Sequence, residues 1–315
     1  MKLLRGIQQH AALQAGTVAT IGNFDGVHRG HQALLRALRI QADRLSLPLL
    51  VVVFEPQSGE YFLGETAPAR LTSLREKIAL LQACGVDFIC CLSFDDHLAS
   101  MTAQAFAERI VFSLLQVKYL LIGEDFRFGH RRLGDVSLLR TYGSKAACVV
   151  EHFSDFFIDN ERISSTRIRK ALHDGELEQA KHCLGRVYSL SGRVIQGEGR
   201  GRQWGVPTAN LAVHPHQSPL KGVYCVQVMR KGRPLYAGIA NLGCRPTFNG
   251  MKNSLEVHLF GLNESLYGER LQVVFLHKLR DEIKFSSVEA LVAHIHQDVV
   301  VAKTWFGLST ERLHA

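Results

Sequence analysis

Two histidines three residues apart, His28 and His31, follow a short apolar run that ends at Gly22. A turn through Asn23, Asp25 and Gly26 separates them from that run, and a helical pattern comes next. A helix entrance exposes unpaired N–H groups and partial positive charge, which favours a phosphate. Imidazoles placed there donate hydrogen bonds to phosphate oxygens and stabilise charge developing in a transition state. The plain alternative is a capped helix start with two solvated rings, and spacing alone leaves both open. A metal site would need a third ligand, for which Asp25 is at hand.

Three further groups carry polar chemistry. Ser164, Ser165 and Thr166 are N-cap residue types ahead of a second helical run. With Arg162, Arg167 and Arg169 they also put hydroxyls, backbone N–H groups and guanidinium forks in one turn, a set suited to polyphosphate. Thr208 and Asn210 stand two apart on an extended segment after Pro207, so they point to one side. Neutral oxygens so placed suit Mg²⁺, which keeps waters and takes its remaining charge from nucleotide phosphates; two polar residues at a strand edge are the alternative. Glu256 alternates with Leu255, Val257 and Leu259 and shares a face with His258. It is either a solvated carboxylate or the acceptor of a hydroxyl proton, and His258 is read as structural.

The elements that must position these residues fall into two textures. Up to about residue 185, apolar runs at 17–22, 49–54, 86–92, 117–123 and 147–153 alternate with amphipathic stretches at 30–46, 72–84 and 102–115. That alternation predicts a doubly wound α/β domain, a Rossmann-like parallel sheet with helices on both faces. In such folds the turns at the carboxyl ends of strands bind ligands. After the acidic stretch "DGELEQAKHCL" (174–184), strand follows strand with Gly, Pro and Asn turns, and "RKGRP" (230–234) looks like a hairpin loop. An all-β closed barrel is expected, with a terminal helix from about Ser287 to Phe306. The boundary is placed near Gly185, giving domains 1–185 and 186–315.

Composition narrows the class. In 315 residues, 46% are hydrophobic and the formal charge is +8, a balance that suits phosphate-bearing partners without choosing among them. Seven cysteines without a C-x-x-C argue against a disulfide framework and for reduced thiols in a cytoplasmic protein. The N-terminal "MKLLRGIQQHAALQAG" has no apolar signal core, since Arg5, Gln8, Gln9 and His10 interrupt it, and the longest apolar stretch, 45–54, is too short to span a bilayer. The glycines of "GEGRG" (197–201) precede no βαβ unit, so they are not a dinucleotide fingerprint. A glycine-rich arch through Gly199 and Gly201 would still let backbone N–H groups approach phosphates. No P-loop or protein-kinase string occurs.

Taken together, G-N-F-D-G-V-H-x-G-H (22–31) and I-S-S-T-x-I-R (163–169) resemble the adenylyltransferase half of the prokaryotic bifunctional riboflavin kinase/FMN adenylyltransferases, or FAD synthetases. "GEDFRFGHRRLGD" (123–135) is similar to another segment of that family. "FEPQSGEYF" (54–62) matches less closely, with Ser58-Gly59 where a Pro-Leu pair is expected. G-R-x-x-G-x-P-T-A-N-L (201–211), then "GVYCV", "ANLGCRPTF" and "SLEVHLF", resemble the riboflavin kinase module in its order.

The resemblance implies that the second domain phosphorylates riboflavin to FMN with ATP, and that the first adenylylates FMN to FAD with release of pyrophosphate. His28 and His31 are implied to be catalytic in adenylyl transfer, with ATP held by Gly22, Asn23, Phe24, Asp25, Gly30, Arg162, Ser164, Ser165, Thr166 and Arg169. Asp125, Phe126 and Phe128 would touch the flavin. In the kinase, Gly199, Gly201, Thr208 and Asn210 would hold ATP, Thr208 and Asn210 also Mg²⁺, and Glu256 would be the general base. No nucleic acid, membrane or stable protein partner is expected. One rival is a nucleotidyltransferase for another substrate with a regulatory barrel, which the complete barrel string opposes. The other is a basic nucleic-acid-binding protein with an OB-like barrel, which calls for aromatics interleaved with Lys and Arg on the strands; Thr208, Asn210 and Glu256 stand there instead.

Overall fold

Apolar runs too short for helices form six parallel strands: β1 (Lys2–Arg5), β2 (Thr17–Ile21), β3 (Leu49–Glu55), β4 (Phe88–Ser93), β5 (Val117–Gly123) and β6 (Val149–Phe153). Their order is β1-β4-β3-β2-β5-β6, and every neighbouring pair is parallel. The computed structural model describes residues 1–315 apart from 7–12, 198, 214–217, 231–232, 248–249, 263 and 310–315, and for 233, 235, 244–247 and 250–253 the backbone alone. Parts of the N-terminal stretch, the centre of the "RKGRP" loop and Phe248 of "ANLGCRPTF" therefore lie outside the described residues.

Alternation along the strands feeds two cores. Ala19, Ile21, Leu50 and Val52 face one side with Phe106, Ile110 and Val111. Val18, Val51 and Val53 face the other with Leu34, Leu35 and Leu38 of α1 (Arg29–Leu45). Helices α2 (Ser58–Leu63), α3 (Leu74–Ala83), α4 (Asp96–Ser100), α5 (Ala103–Ala105) and α6 (Val136–Lys145) complete the layers. The stretch expected as one helix over 102–115 is α5 running on as a π-helix, Phe106–Leu114. The Leu115 N–H, for instance, reaches Ile110 O at 3.0 Å; apolar spacing does not separate that wider turn from an α-helix.

The strand order reverses between β2 and β5, and this is where an open α/β sheet leaves a crevice at its carboxyl edge. The turn after β2 carries Gly22 to His28, and the loop after β5 carries Asp125 to Asp135. Two-residue strands β7 (Phe157–Ile158) and β8 (Glu161–Arg162) form a small ribbon ahead of the Ser-Ser-Thr helix start.

Next come α7 (Ser165–Asp174) and α8 (Leu177–Leu184). Strands β9 (Ser189–Ile195), β10 (Ala209–Ala212), β11 (Gly222–Arg230), β12 (Arg233–Thr247), β13 (Gly250–Leu259) and β14 (Arg270–Arg280) close into an antiparallel barrel, β10-β13-β12-β11-β14-β9. A four-residue helix, α9 (Arg200–Gln203), interrupts the arch between β9 and β10. Helix α10 (Val288–Trp305), capped by Ser287, packs Val299 and Ala302 against Val206, Cys225, Ile239 and Phe260.

The chain separates into two compact units, Met1–Pro68 with Thr72–Ser165, and Ala69–Leu71 with Thr166–Ala315. That division precedes the texture change near Gly185, because the helical pair before the change sits with the barrel; Gly175, for example, lies against the Lys278 side chain.

Candidate active sites

The turn after β2 holds an unusual backbone. Phe24 (φ 47°) and Val27 (φ 40°) are left-handed without being glycine, alongside Gly26 (φ 80°). Both side chains are buried, and that packing holds a conformation that costs about 1–3 kcal/mol per residue. The turn delivers His28 as the N-cap of α1, its Nδ1 accepting the His31 backbone N–H at 3.3 Å. The proton of the neutral ring therefore sits on Nε2, which becomes a donor. The two imidazoles stack with centroids 3.6 Å apart at 16°. Glycine at position 30 is what lets them: a Cβ there would lie 3.2 Å from the His28 ring.

His31 Nδ1 is buried and has no hydrogen-bond partner among the described residues. Burial, then the charges of His28 and of fully buried Lys77, hold the His31 pKa well below the usual imidazole range. His31 is thus neutral at physiological pH.

Asp25 is bonded to Thr72. Its buried carboxylate accepts the Thr72 backbone N–H (3.1 Å) and hydroxyl (3.2 Å), and Thr72 Oγ1 accepts the Gly26 N–H at 3.1 Å. Asp25 thereby braces the turn through Thr72. No group of three His, Cys, Asp or Glu side chains among the described residues is placed to hold a metal. Thr72 has no signal in the sequence beyond its type. Ser165 Oγ donates to Asp25 O at 3.0 Å, so the second motif starts on the same turn as the first.

Arg162 is also engaged: it grips Asp125 at 2.6 Å and Asp155 at 2.9 Å. Those carboxylates hold its guanidinium, and Asp125 faces Arg162. Gly22, Asn23 and Ser164 are half-buried around the turn. Thr166 and Arg169 belong to the second unit, where Arg169 Nε donates to Ala69 O at 2.6 Å and Thr166 is exposed.

In the first unit a cavity of about 530 Å³ is walled by Phe54, Phe62, Phe94, Phe106, Phe126 and Phe128. Phe126 and Phe128 lie near-parallel, centroids 5.6 Å apart. Ser58 and Gly59 line it, and so do Arg127, His130, Arg131 and Arg132, the basic residues of the segment 123–135.

The barrel unit has its own polar row. Glu256 on β13 is directly opposite Asn210 of β10 on one side and Asn241 of β12 on the other. Cross-strand partners of this kind stand about 5 Å apart at Cβ. Thr208, Asn241, Glu256 and His258 line a cavity of about 220 Å³ together with Arg280, Glu282, Phe285, and Leu291 and Ile295 of α10. Thr208 also lines a second cavity of about 420 Å³ with Arg202, Val257, Leu259 and Tyr267. One hydroxyl thus stands on the wall of two chambers.

The arch is fitted to these residues. A Cβ at Gly197 would collide with the Asn210 amide, and one at Gly201 would lie 3.2 Å from Thr208 Oγ1. Gly199 is left-handed (φ 72°) just ahead of α9. His258 Nδ1–H donates to Pro207 O at 2.8 Å and pins the segment that carries Thr208. Burial pushes the His258 pKa down, which keeps the ring neutral.

Arg280 holds α10 to β14. Its Nε and Nη2 bond Asp298 at 2.7–3.1 Å, with side-chain exposures of 21% and 12%. Asp298→Asn is expected to lower the unfolding free energy of the barrel unit by about 3 kcal/mol, because it strands a largely desolvated guanidinium. Denaturant melts of the full chain measure this; an unchanged midpoint would mean the pair behaves as an exposed one.

Residues 10–167 match the family model described as FAD synthetase, and residues 184–306 the one described as riboflavin kinase. The bifunctional riboflavin kinase/FMN adenylyltransferase of Haemophilus influenzae is 45% identical over 306 residues, 97% of this chain and 99% of that one. That of Escherichia coli K12 is 46% identical over 310 residues, 98% and 99% of the two chains. A crystal structure from Streptococcus pneumoniae described as a macrolide-efflux protein superposes with a TM-score of 0.78 at 31% identity, covering 96% of this chain and 99% of that one. No helix of the described residues is long and apolar enough to cross a membrane. With both family models in order along the chain and relatives that match it end to end, the chain belongs to the bifunctional riboflavin kinase/FMN adenylyltransferase family.

Proposed function

We propose that the barrel unit transfers the γ-phosphoryl group of ATP to the 5′-hydroxyl of riboflavin, and that the first unit joins the FMN so made to AMP from a second ATP. The observation that carries this reading is the row Asn210–Glu256–Asn241 beside Thr208, which stands on the wall of two cavities, one for each substrate of a kinase. Glu256 accepts the hydroxyl proton as the oxygen attacks phosphorus. Thr208 Oγ1 and Asn210 Oδ1, neutral oxygens near a carboxylate, fit Mg²⁺ that completes its shell with water and phosphate. When bound, the ion neutralises charge on the transferred group. Gly199 and Gly201 leave room for the phosphates to approach the backbone.

In the first unit a phosphate oxygen of FMN attacks the α-phosphorus of ATP, and pyrophosphate leaves. The nucleophile is already an anion, so the protein supplies alignment and charge stabilisation. His28 Nε2–H and His31 face the phosphates with the helix start behind them, and Gly22, Asn23, Ser164 and Ser165 border the same turn. The family resemblance adds Thr166 and Arg169. Phe126 and Phe128, in the phenylalanine-walled cavity, take the isoalloxazine ring. The described cysteines are free thiols, in keeping with work in the cytoplasm.

Incubation with riboflavin, ATP and Mg²⁺, resolved by chromatography, tests the reading. FMN followed by FAD is expected, and absence of both overturns it.

A further inference from the structure

The barrel's smaller cavity holds more polar chemistry than a proton acceptor needs. Asn241 flanks Glu256 in register, and both side chains line the chamber. A second carboxylate, Glu282, enters from the segment after β14 and lines it too. Its placement is tied to the glycine two residues beyond Asn241: a Cβ on Gly243 would collide with Glu282 Oε1, and Asn241 Nδ2 lies 3.7 Å from that same point. Gly243 has an ordinary backbone, so glycine is needed there for space and not for conformation. The chamber thus presents acceptor, donor and acceptor in sequence: Glu282 carboxylate, Asn241 amide, Glu256 carboxylate. Phe285, Leu291 and Ile295 line the same chamber and offer apolar surface. A chain of adjacent hydroxyls, each able to donate and accept, matches such a row.

Resting on the kinase reading above, we propose that Asn241 and Glu282, with Gly243 making room for the latter, form a polyol-recognition subsite that selects acceptors by the hydroxyls next to the one phosphorylated. Hydrogen-bonding groups left without partners penalise an acceptor that lacks those hydroxyls, and this gives stronger discrimination than shape alone.

The test compares riboflavin with a flavin bearing a 5-hydroxypentyl chain, which keeps the terminal alcohol and lacks the other hydroxyls. The unaltered full chain is expected to prefer riboflavin by about 10²-fold or more in kcat/KM. Asn241→Ala and Glu282→Ala should each reduce that preference about tenfold, through riboflavin. Gly243→Ala should do the same while keeping every polar group, because it meets only the movable end of Glu282. A denaturant melt of each full-length variant serves as the check on folding of the barrel. If neither flavin is phosphorylated by the unaltered chain, the kinase reading fails and this inference with it. If both are phosphorylated and the three variants keep the unaltered preference, the kinase reading stands and the subsite is overturned. A merely structural role would depress both substrates equally, which also overturns it.

Discussion

Glu256→Gln is expected to slow riboflavin phosphorylation by about 10²–10⁴-fold, the scale on which a general base contributes. Glutamine keeps the length of the side chain and its hydrogen-bonding reach toward Asn210 and Asn241, its register neighbours. Only the ability to take a proton is removed. Since that proton moves as the oxygen attacks, the loss should fall on kcat, with KM for riboflavin and for ATP nearly unchanged. Adenylylation of supplied FMN uses the other unit and should persist. A solvated glutamate on the polar face of a strand would instead give near-normal turnover, and that result would remove Glu256 from the mechanism. A rise in KM with kcat preserved would move it into substrate binding.

The sequence made the strand runs of both units legible because each is apolar, short and bounded by turn residues, and the parallel sheet and closed barrel follow from the two textures. Among the elements that it left out or misassigned, two have a clear physical reason. Strand β1 is four residues long with Lys2 and Arg5 at its ends, so the edge of the sheet carries no apolar run. The π-helical turn over Phe106–Leu114 buries the same kind of residues as an α-helix, and periodicity over nine residues does not separate them. The site was legible in its residue types and less so in its contacts. Asp25 and Arg162 have the right charge for a nucleotide site, and each also has a distant protein partner, Thr72 for Asp25 and Asp125 for Arg162. Nothing local in the chain announces a partner tens of residues away. Asn241 shows the converse. Its own segment gives no hint of chemistry, and only the register β12↔β13 puts it next to Glu256.

Replacing both His28 and His31 with alanine is expected to cut FAD formation from supplied FMN by about 10²-fold or more, the cost of losing preorganised donors at a developing charge. The geometry complicates the simple experiment, because His28 does two jobs. Its Nδ1 caps α1, and loss of an N-cap costs about 1 kcal/mol of stability. A slower double variant therefore does not by itself separate charge stabilisation from a frayed helix. His28→Asn separates them: asparagine is among the best N-caps, so helix and melting temperature should be retained, while the donor formed by Nε2–H is lost. Adenylylation should stay slow in that variant. His31 adds a signature of its own. Its pKa is depressed chiefly by burial, so the free protein holds it neutral; incoming polyphosphate charge favours the protonated ring, and ATP binding near neutral pH should take up protons. Calorimetry in buffers of different ionisation enthalpy reads that uptake, and His31→Ala should abolish it. FMN formation from riboflavin should be unchanged throughout. Full recovery of FAD synthesis in His28→Asn would reduce His28 to a cap, and equal loss of both activities in the double variant would mark a folding defect in place of a catalytic one.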